Sequence, residues 1–323
     1  MDSRQNNDCL KKNKSSQLQG KQCGRREFLS KALKAAALGS AAMVSGCGTG
    51  LLGSSEESAL KWQEYFKKNY RLMTQEEKDE TIARLERLAK LRKGVDIQMS
   101  SKEPVEDVLF GYAFNLTRCE GFMECVAACV KENNLDRKSQ TQYIRIFEME
   151  PGEMTPESGD GKYFHKVPVA NHFYMGVQCF HCESAPCIKA CPTKATWREP
   201  DGIVVVDYDW CIGCRYCMAA CPYYGRRFNW GEPQVSAEEM TKKQHYLGNR
   251  MRAKGQMEKC TFCVQRSRAG RLPACVEACP TGARVFGNLL DPKSEIRFVL
   301  KHKKVFRLKE ELGTDPKYWY FID

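Results

Sequence analysis

Apolar positions along the chain come in short runs, and few keep one period for more than two turns. Residues 1–23 are polar and basic, and a modest apolar stretch follows from Ala32 to Gly46. Neither it nor any other stretch reaches the ~20 apolar residues a membrane span needs. Residues 48–58, rich in Gly and Ser, read as a tether. From Leu60 to Tyr70 the pattern predicts a helix with Trp62, Tyr65 and Phe66 on one side. A second helix is predicted from Thr74, where Thr74-Gln75-Glu76-Glu77 has the form of a capping box. Ile82, Leu85, Leu88 and Leu91 then recur beside a densely charged face until Gly94 ends it. Further on the period shortens to two. Residues 141–148 alternate as a half-buried strand, and short strands are expected at Phe110–Leu116, Ile203–Asp207 and Thr281–Phe286. Residues 150–162 read as a surface loop, and 232–256 as a polar excursion. The expected class is α+β, with an N-terminal helical extension (47–104, including the tether) ahead of a body at 105–323.

Cysteines change this picture most. The chain holds 18 in 323 residues, and they are grouped rather than spread as a disulfide framework would be. Cys211-Ile-Gly-Cys214-Arg-Tyr-Cys217-Met-Ala-Ala-Cys221-Pro222 is a C-x2-C-x2-C-x3-C-P run. Three close thiolates of this pattern wrap one cubane iron–sulfur cluster, and the fourth serves a neighbouring cluster. Gly213 lets the loop turn tightly, and Pro222 stops the turn from continuing as a helix. Structural zinc is the rival, but four cysteines within eleven residues would crowd a zinc site. Three further groups follow the same logic: Cys119-x5-Cys125-x3-Cys129, Cys179-x2-Cys182-x4-Cys187-x3-Cys191-Pro192 and Cys260-x2-Cys263-x11-Cys275-x3-Cys279-Pro280. Only Cys9, Cys23 and Cys47 stand outside these groups. A body held by clusters is expected not to fold without iron.

Charge adds an address. Residues 1–46 hold nine Lys/Arg against three Asp/Glu, so 6 of the net +11 lies there and +5 remains. Clusters carrying about two negative charges each would cancel that remainder, and no basic stripe interleaved with aromatics suggests nucleic acid. Arg25 and Arg26, followed by Phe28-Leu29 and the weak apolar stretch, form a twin-arginine export signal. An amphipathic basic helix is the alternative. Val44-Ser45-Gly46-Cys47 resembles a lipobox, in which Cys47 would become a lipid anchor; an ordinary cleavage site beside a bystander cysteine is the other reading. Residues 1–46 are thus expected to be a removable signal. The mature protein is placed at the periplasmic face of a membrane, lipid-anchored or complex-bound.

The second to fourth cysteine groups, Met257-Glu258-Lys259-Cys260-Thr261-Phe262-Cys263 and the tail Phe306 to Tyr320 resemble one subunit type. It is the four-cluster, ferredoxin-like iron–sulfur subunit of the molybdopterin (dimethyl sulfoxide reductase) oxidoreductase family. Related subunits occur in polysulfide and tetrathionate reductases, alternative complex III and sulfate reducers' membrane redox complexes. The resemblance implies two ferredoxin-like (4Fe-4S) modules with long loop insertions, the last cysteine of each group crossing to its partner group. One cluster then takes Cys179, Cys182, Cys187 and Cys221, and another Cys211, Cys214, Cys217 and Cys191. A third takes Cys260, Cys263, Cys275 and Cys129. The fourth keeps only Cys119, Cys125 and Cys279, because Phe122 falls where the second cysteine of its group belongs. Three [4Fe-4S] clusters and one [3Fe-4S] cluster are expected. A cubane with an oxygen ligand from Glu120 or Glu124, or an empty site, stays open for the last position.

The aromatics Tyr208, Trp210, Tyr216, Tyr223, Tyr224 and Trp230 read as a sheath limiting water around the clusters. None of His165, His172, His181, His245 and His302 has a helix-spaced partner, although His181 beside Cys182 could donate to a sulfur. No catalytic acid, base or nucleophile is visible. The expected function is one-electron relay between a quinone-reactive integral membrane subunit and a molybdopterin-type catalytic or multihaem cytochrome subunit. A free-standing polyferredoxin is the alternative; the lipobox-like Cys47 and the N-terminal helices argue against it. A zinc-dependent scaffold module is the third reading, and it would be colourless.

Overall fold

The computed structural model describes residues 73–323. The export signal with Arg25 and Arg26, Cys9, Cys23, the anchor candidate Cys47, the tether and the helix expected at Leu60–Tyr70 lie outside the described residues. The described chain begins with α1 (Gln75–Lys93), β1 (Gln98–Ser100), β2 (Phe110–Asn115), α2 (Glu124–Glu132), β3 (Arg145–Met149) and β4 (Phe173–Val177). The middle comprises α3 (Pro186–Lys189), β5 (Thr196–Arg198), β6 (Val204–Val206), α4 (Tyr216–Ala219), β7 (Arg226–Phe228) and β8 (Lys243–His245). Last come β9 (Met257–Lys259), α5 (Val264–Ser267), α6 (Ala274–Glu277), β10 (Arg284–Asn288), α7 (Glu295–His302), β11 (Lys304–Phe306) and β12 (Tyr318–Ile322). No described helix is long and apolar enough to cross a membrane.

α1 starts and stops where its sequence dictates. The Thr74 hydroxyl accepts from the Glu77 amide at 3.3 Å, and the Glu77 carboxylate accepts from the Thr74 amide at 2.9 Å. At the far end Gly94 takes φ +66°, a left-handed conformation that glycine adopts without steric cost. Glu76 and Glu77 in the first turn, and Lys90, Arg92 and Lys93 in the last, match the helix dipole. Its apolar stripe is narrower than the sequence pattern suggests: Ile82 is buried, whereas Leu91 is 82% exposed.

A four-stranded sheet in the order β10-β2-β12-β11 organises the body. β2 pairs antiparallel with β10 and parallel with β12, so the C-terminal tail closes beside the first strand of the body. Side chains alternate across a strand, and the sheet uses its two faces differently. Ala113, Val285 and Phe321 meet Ile296 and Val299 of α7 in a small core. On the other face the rings of Tyr112 and Tyr318 stack at 5.0 Å, and Phe114 meets Tyr320 edge-on. That aromatic face looks toward the cysteine groups. Three antiparallel strand pairs, β3–β4, β5–β6 and β7–β9, flank it. α2 packs on α6, and α3 on α4.

Three expectations need correction. The strand expected from Thr281 begins at Arg284, because Gly282 turns first with φ +64°. Residues 232–256 are not a solvated excursion. β8 pairs parallel with β1, and Val235 and Met240 pack on Val95. Gln244, His245, Asn249, Arg250 and Arg252 are buried there. Their polar atoms bond mostly to backbone, as where the Asn249 amide donates to Glu132 O and Lys243 O, so hydropathy gives no sign of the burial. Of the aromatic sheath, Tyr208 and Tyr223 are buried, but Tyr216, Tyr224 and Trp230 lie at the surface.

Candidate metal centres

Each cysteine group is delivered by the same local device. The last cysteine but one of each group is the second residue of a helical segment: Cys125 in α2, Cys187 in α3, Cys217 in α4 and Cys275 in α6. In three groups the last cysteine follows the turn directly, its amide bonding back to Ile188 O, Met218 O or Val276 O. A proline then prevents the helix from extending. Met123 and Arg215, just ahead of two of the turns, adopt left-handed backbone.

The turns bring the thiols into sets. Cys119, Cys125 and Cys279 line a cavity with about 310 Å³ of open space, together with Phe122, Glu120, Glu124 and Arg284. Cys179, Cys182, Cys187 and Cys221 line a second of about 350 Å³ with His181, Tyr223 and Arg226. Cys129 faces Cys263, Cys260 and Cys275. Cys214 faces Cys191 and Cys211, and Cys217 faces Cys191 and Cys211 as well. In each set one cysteine comes from the partner group: Cys279, Cys129, Cys221 and Cys191 in turn. None of the fifteen described body cysteines is in a disulfide.

The donor set fits polynuclear iron–sulfur groups. Among the described residues no three His, Cys, Asp or Glu side chains converge as ligands of a single ion do. Burial pushes several of the thiols up, Cys119 and Cys217 to about 11 and Cys263 to about 12. Only a strong local positive charge deprotonates a thiol in such surroundings, and bound metal supplies it. Donors already aim at the sulfurs. The Phe262 amide reaches Cys260 Sγ and the Gly225 amide Cys221 Sγ, both at 3.4 Å. Asn133 Nδ2 reaches Cys129 Sγ at 3.5 Å, and the Tyr112 hydroxyl lies 3.4 Å from Cys275 Sγ. Hydrogen bonds of this kind draw charge from a thiolate and set the potential of what it binds.

The sets follow one another in space. Cys125 of the first set interacts with Cys129 and Cys275 of the next. Cys260 in that second set faces Cys179 of the third, and Cys187 of the third faces Cys217 of the fourth. Phe122, 44% exposed, lines the first cavity where a fourth thiol would stand. His181 accepts the Val204 amide on Nδ1 at 2.9 Å, and its ring stacks on Phe262 at 3.7 Å. Burial, then Lys259, Lys317 and Arg226, hold it neutral, so its proton sits on Nε2, in the cavity wall. Two residues escaped the sequence reading: the fully buried Arg226 and Arg284. Each lies five positions after a Cys-Pro cysteine (Cys221 and Cys279), and that repeated offset was the available signal.

Comparison with known proteins identifies the family. The family described as "4Fe-4S dicluster domain" matches residues 170–250 and 237–289. A chain named as the iron–sulfur subunit of a dimethyl sulfoxide reductase in Halobacterium salinarum is 41% identical over 217 residues, 65% of this chain and 78% of that one. The Hdr-like menaquinol oxidoreductase iron–sulfur subunit 1 of Archaeoglobus fulgidus is 38% identical, over 68% of this chain and 86% of its own length. A selenate reductase subunit of Mesobacillus selenatarsenatis is 34% identical over 93% of this chain and 97% of its own. With its thiol sets and ferredoxin-like 4Fe-4S domain, the chain belongs to the iron–sulfur subunits of the dimethyl sulfoxide reductase family, which transfer electrons within respiratory oxidoreductase complexes and are not their catalytic subunits.

Proposed function

We propose that this chain carries four clusters in a line, built as two ferredoxin-like modules, and relays single electrons through them. The observation that carries the reading is the crossing of last cysteines between paired helices. Cys221 joins the cavity of Cys179, Cys182 and Cys187, while Cys191 faces Cys211, Cys214 and Cys217. Cys129 likewise joins Cys260, Cys263 and Cys275. Iron–sulfur groups supply reversible one-electron redox chemistry when bound at such thiols. The chain's own part is to hold neighbouring sets close, exclude water with Tyr112, Phe262 and Tyr318, and place N–H donors on the sulfurs. Cys119, Cys125 and Cys279, with Phe122 in the fourth position, suit a [3Fe-4S] cluster; the other three sets suit [4Fe-4S] clusters.

The partners in this reading are a quinone-reactive integral membrane subunit at one end, and a molybdopterin-type catalytic or multihaem cytochrome subunit at the other. Exposed Phe122 beside the first set, and exposed Ile212, Tyr216 and Met218 beside the fourth, put apolar surface at both ends of the line. The reading places the protein at the periplasmic face of the membrane, exported through Arg25 and Arg26 and anchored by Cys47. Metal and sulfide analysis of the anaerobically purified chain tests it. About 15 irons and about 16 sulfides per chain are expected for three cubane clusters and one three-iron cluster. A folded, colourless, iron-free protein would overturn it. Mass spectrometry of the mature N-terminus decides whether Cys47 is acylated.

A further inference from the structure

One buried cation stands at each of the three junctions between successive thiol sets. Arg284 opens β10 between the first and second sets, where burial opposes its charge but Cys125, Tyr112, Tyr318 and Cys275 hold it. Lys259 ends β9 at the second junction, where Cys260 faces Cys179. It is fully buried, and its ammonium donates to Cys260 O at 2.6 Å. Arg226 opens β7 at the third junction, facing Cys187, Cys217 and Cys179. The two arginines arise from one repeated device, a strand beginning five residues after a Cys-Pro cysteine.

Among the described residues, no carboxylate pairs with any of these charges. Arg226 donates from Nη1 to Thr196 Oγ1 at 3.2 Å. Arg284 donates from Nη1 to the Tyr112 hydroxyl at 3.1 Å and to Gln178 Oε1 at 3.2 Å. Among the described residues Nη2 of Arg284 finds no acceptor, and beyond Thr196 Arg226 turns to the Cys187 sulfur. A buried charge without a partner is strongly unfavourable. Arg226 lines the cavity of the third thiol set and Arg284 that of the first, so the compensating negative charge must come from the thiolates and what they bind. The other buried arginines behave differently: Arg252 pairs with Glu258, and Arg268 with Asp201 and Glu199.

We propose that Arg284, Lys259 and Arg226 are fixed counter-charges, one per junction, which raise the reduction potentials of the two flanking centres and damp repulsion between electrons on neighbours. Each reduction adds a negative charge inside a poorly screened interior. A cation shared by two centres favours the reduced form of both. The inference rests on the assignment of clusters to these thiol sets, and iron analysis of the unaltered chain tests that assignment separately.

The experiment is an EPR-monitored redox titration of the full chain with its clusters, comparing Arg226→Met, Arg284→Met and Lys259→Met with the unaltered protein. Arg226→Met should lower the reduced-to-oxidised ratio of two of the four centres about tenfold at a fixed poise, equivalent to 59 mV for a one-electron couple. Arg284→Met should move the other two. Lys259→Met should move one centre from each pair. Arg226→Lys and Arg284→Lys keep the charge and should stay within about threefold of the unaltered protein. Should a methionine variant fail to accumulate, Arg226→Gln or Arg284→Gln provides a second neutral form. Full iron content with unmoved midpoints overturns the counter-charge role and leaves the cluster assignment intact. So does an equal shift of all four centres, or a lysine variant that shifts as far as methionine. Iron lost from both neutral variants of one arginine also overturns it, by making that residue an assembly element.

Discussion

Arg252 and Glu258 form an ion pair 2.9 Å apart with both side chains almost wholly removed from solvent. The pair ties residues 232–256 to β9, the strand that leads into Cys260. The Tyr143 hydroxyl donates to the same carboxylate at 2.9 Å, and Arg252 also caps Asn133 O and Arg250 O. Removing one member of such a pair leaves an uncompensated buried charge, which costs about 3–5 kcal/mol. Arg252→Met should therefore lower the thermal midpoint for loss of visible absorbance well below that of the unaltered chain. An Arg252→Met/Glu258→Leu double variant should recover most of the loss. A double variant no better than the single one would show that the pair's other hydrogen bonds dominate.

Phe122 lines the cavity of Cys119, Cys125 and Cys279 from the position a cysteine would take in a C-x2-C-x2-C run. Phe122→Cys should complete the fourfold set. Iron should rise from about 15 to about 16 per chain, and the near-isotropic EPR signal of the oxidised protein should disappear. A variant that keeps both the signal and the lower iron count would remove Phe122 as the determinant of cluster type.

Gly213 takes φ +72°, and a Cβ built there would lie 2.1 Å from Gly255 O. Backbone cannot yield as a side-chain tip can, and a left-handed alanine adds roughly 1–2 kcal/mol of its own. Gly213→Ala should push the Cys211–Cys214 loop away from Cys191 and lose about four irons per chain. Gly270→Ala, also at positive φ but with nothing within 4 Å of its Cβ, should keep full iron, which separates the clash from backbone strain.

The parts of this molecule legible in its sequence are those specified locally. Spacing within each cysteine group and the following proline announce the turns around Cys187, Cys217 and Cys275. Thr74 and Gly94 mark the ends of α1. What escaped is specified by partners distant in sequence. β12 is the neighbour of β2 although the whole body lies between them in sequence, and β8 pairs with β1 across more than a hundred residues. Arg226 and Arg284 look like ordinary surface charges in a one-dimensional reading. Their burial makes sense only against the thiols the fold collects around them, since a charge enters an interior when its counter-charge is already there.

The His245 ring donates from Nε2 to Lys102 O at 3.0 Å and accepts the Leu247 amide on Nδ1 at 3.1 Å. A second ring proton would meet that amide head-on. Burial first, and also Arg268 and Lys78, hold the imidazole down at about 4, against opposing pulls from Lys102 O and Glu103. In the unfolded chain the ring titrates near 6.5. Between those values the unfolded chain binds the extra proton, so stability is fully present above about pH 6.5 and falls as pH drops toward 4. The gap between 6.5 and about 4 corresponds to roughly 3 kcal/mol. His245→Gln keeps a donor for Lys102 O but cannot take up a proton. Thermal midpoints at pH 7.5 and pH 5.0 should therefore draw together in the variant. An equal acid-induced drop in both proteins would assign the sensitivity to other groups.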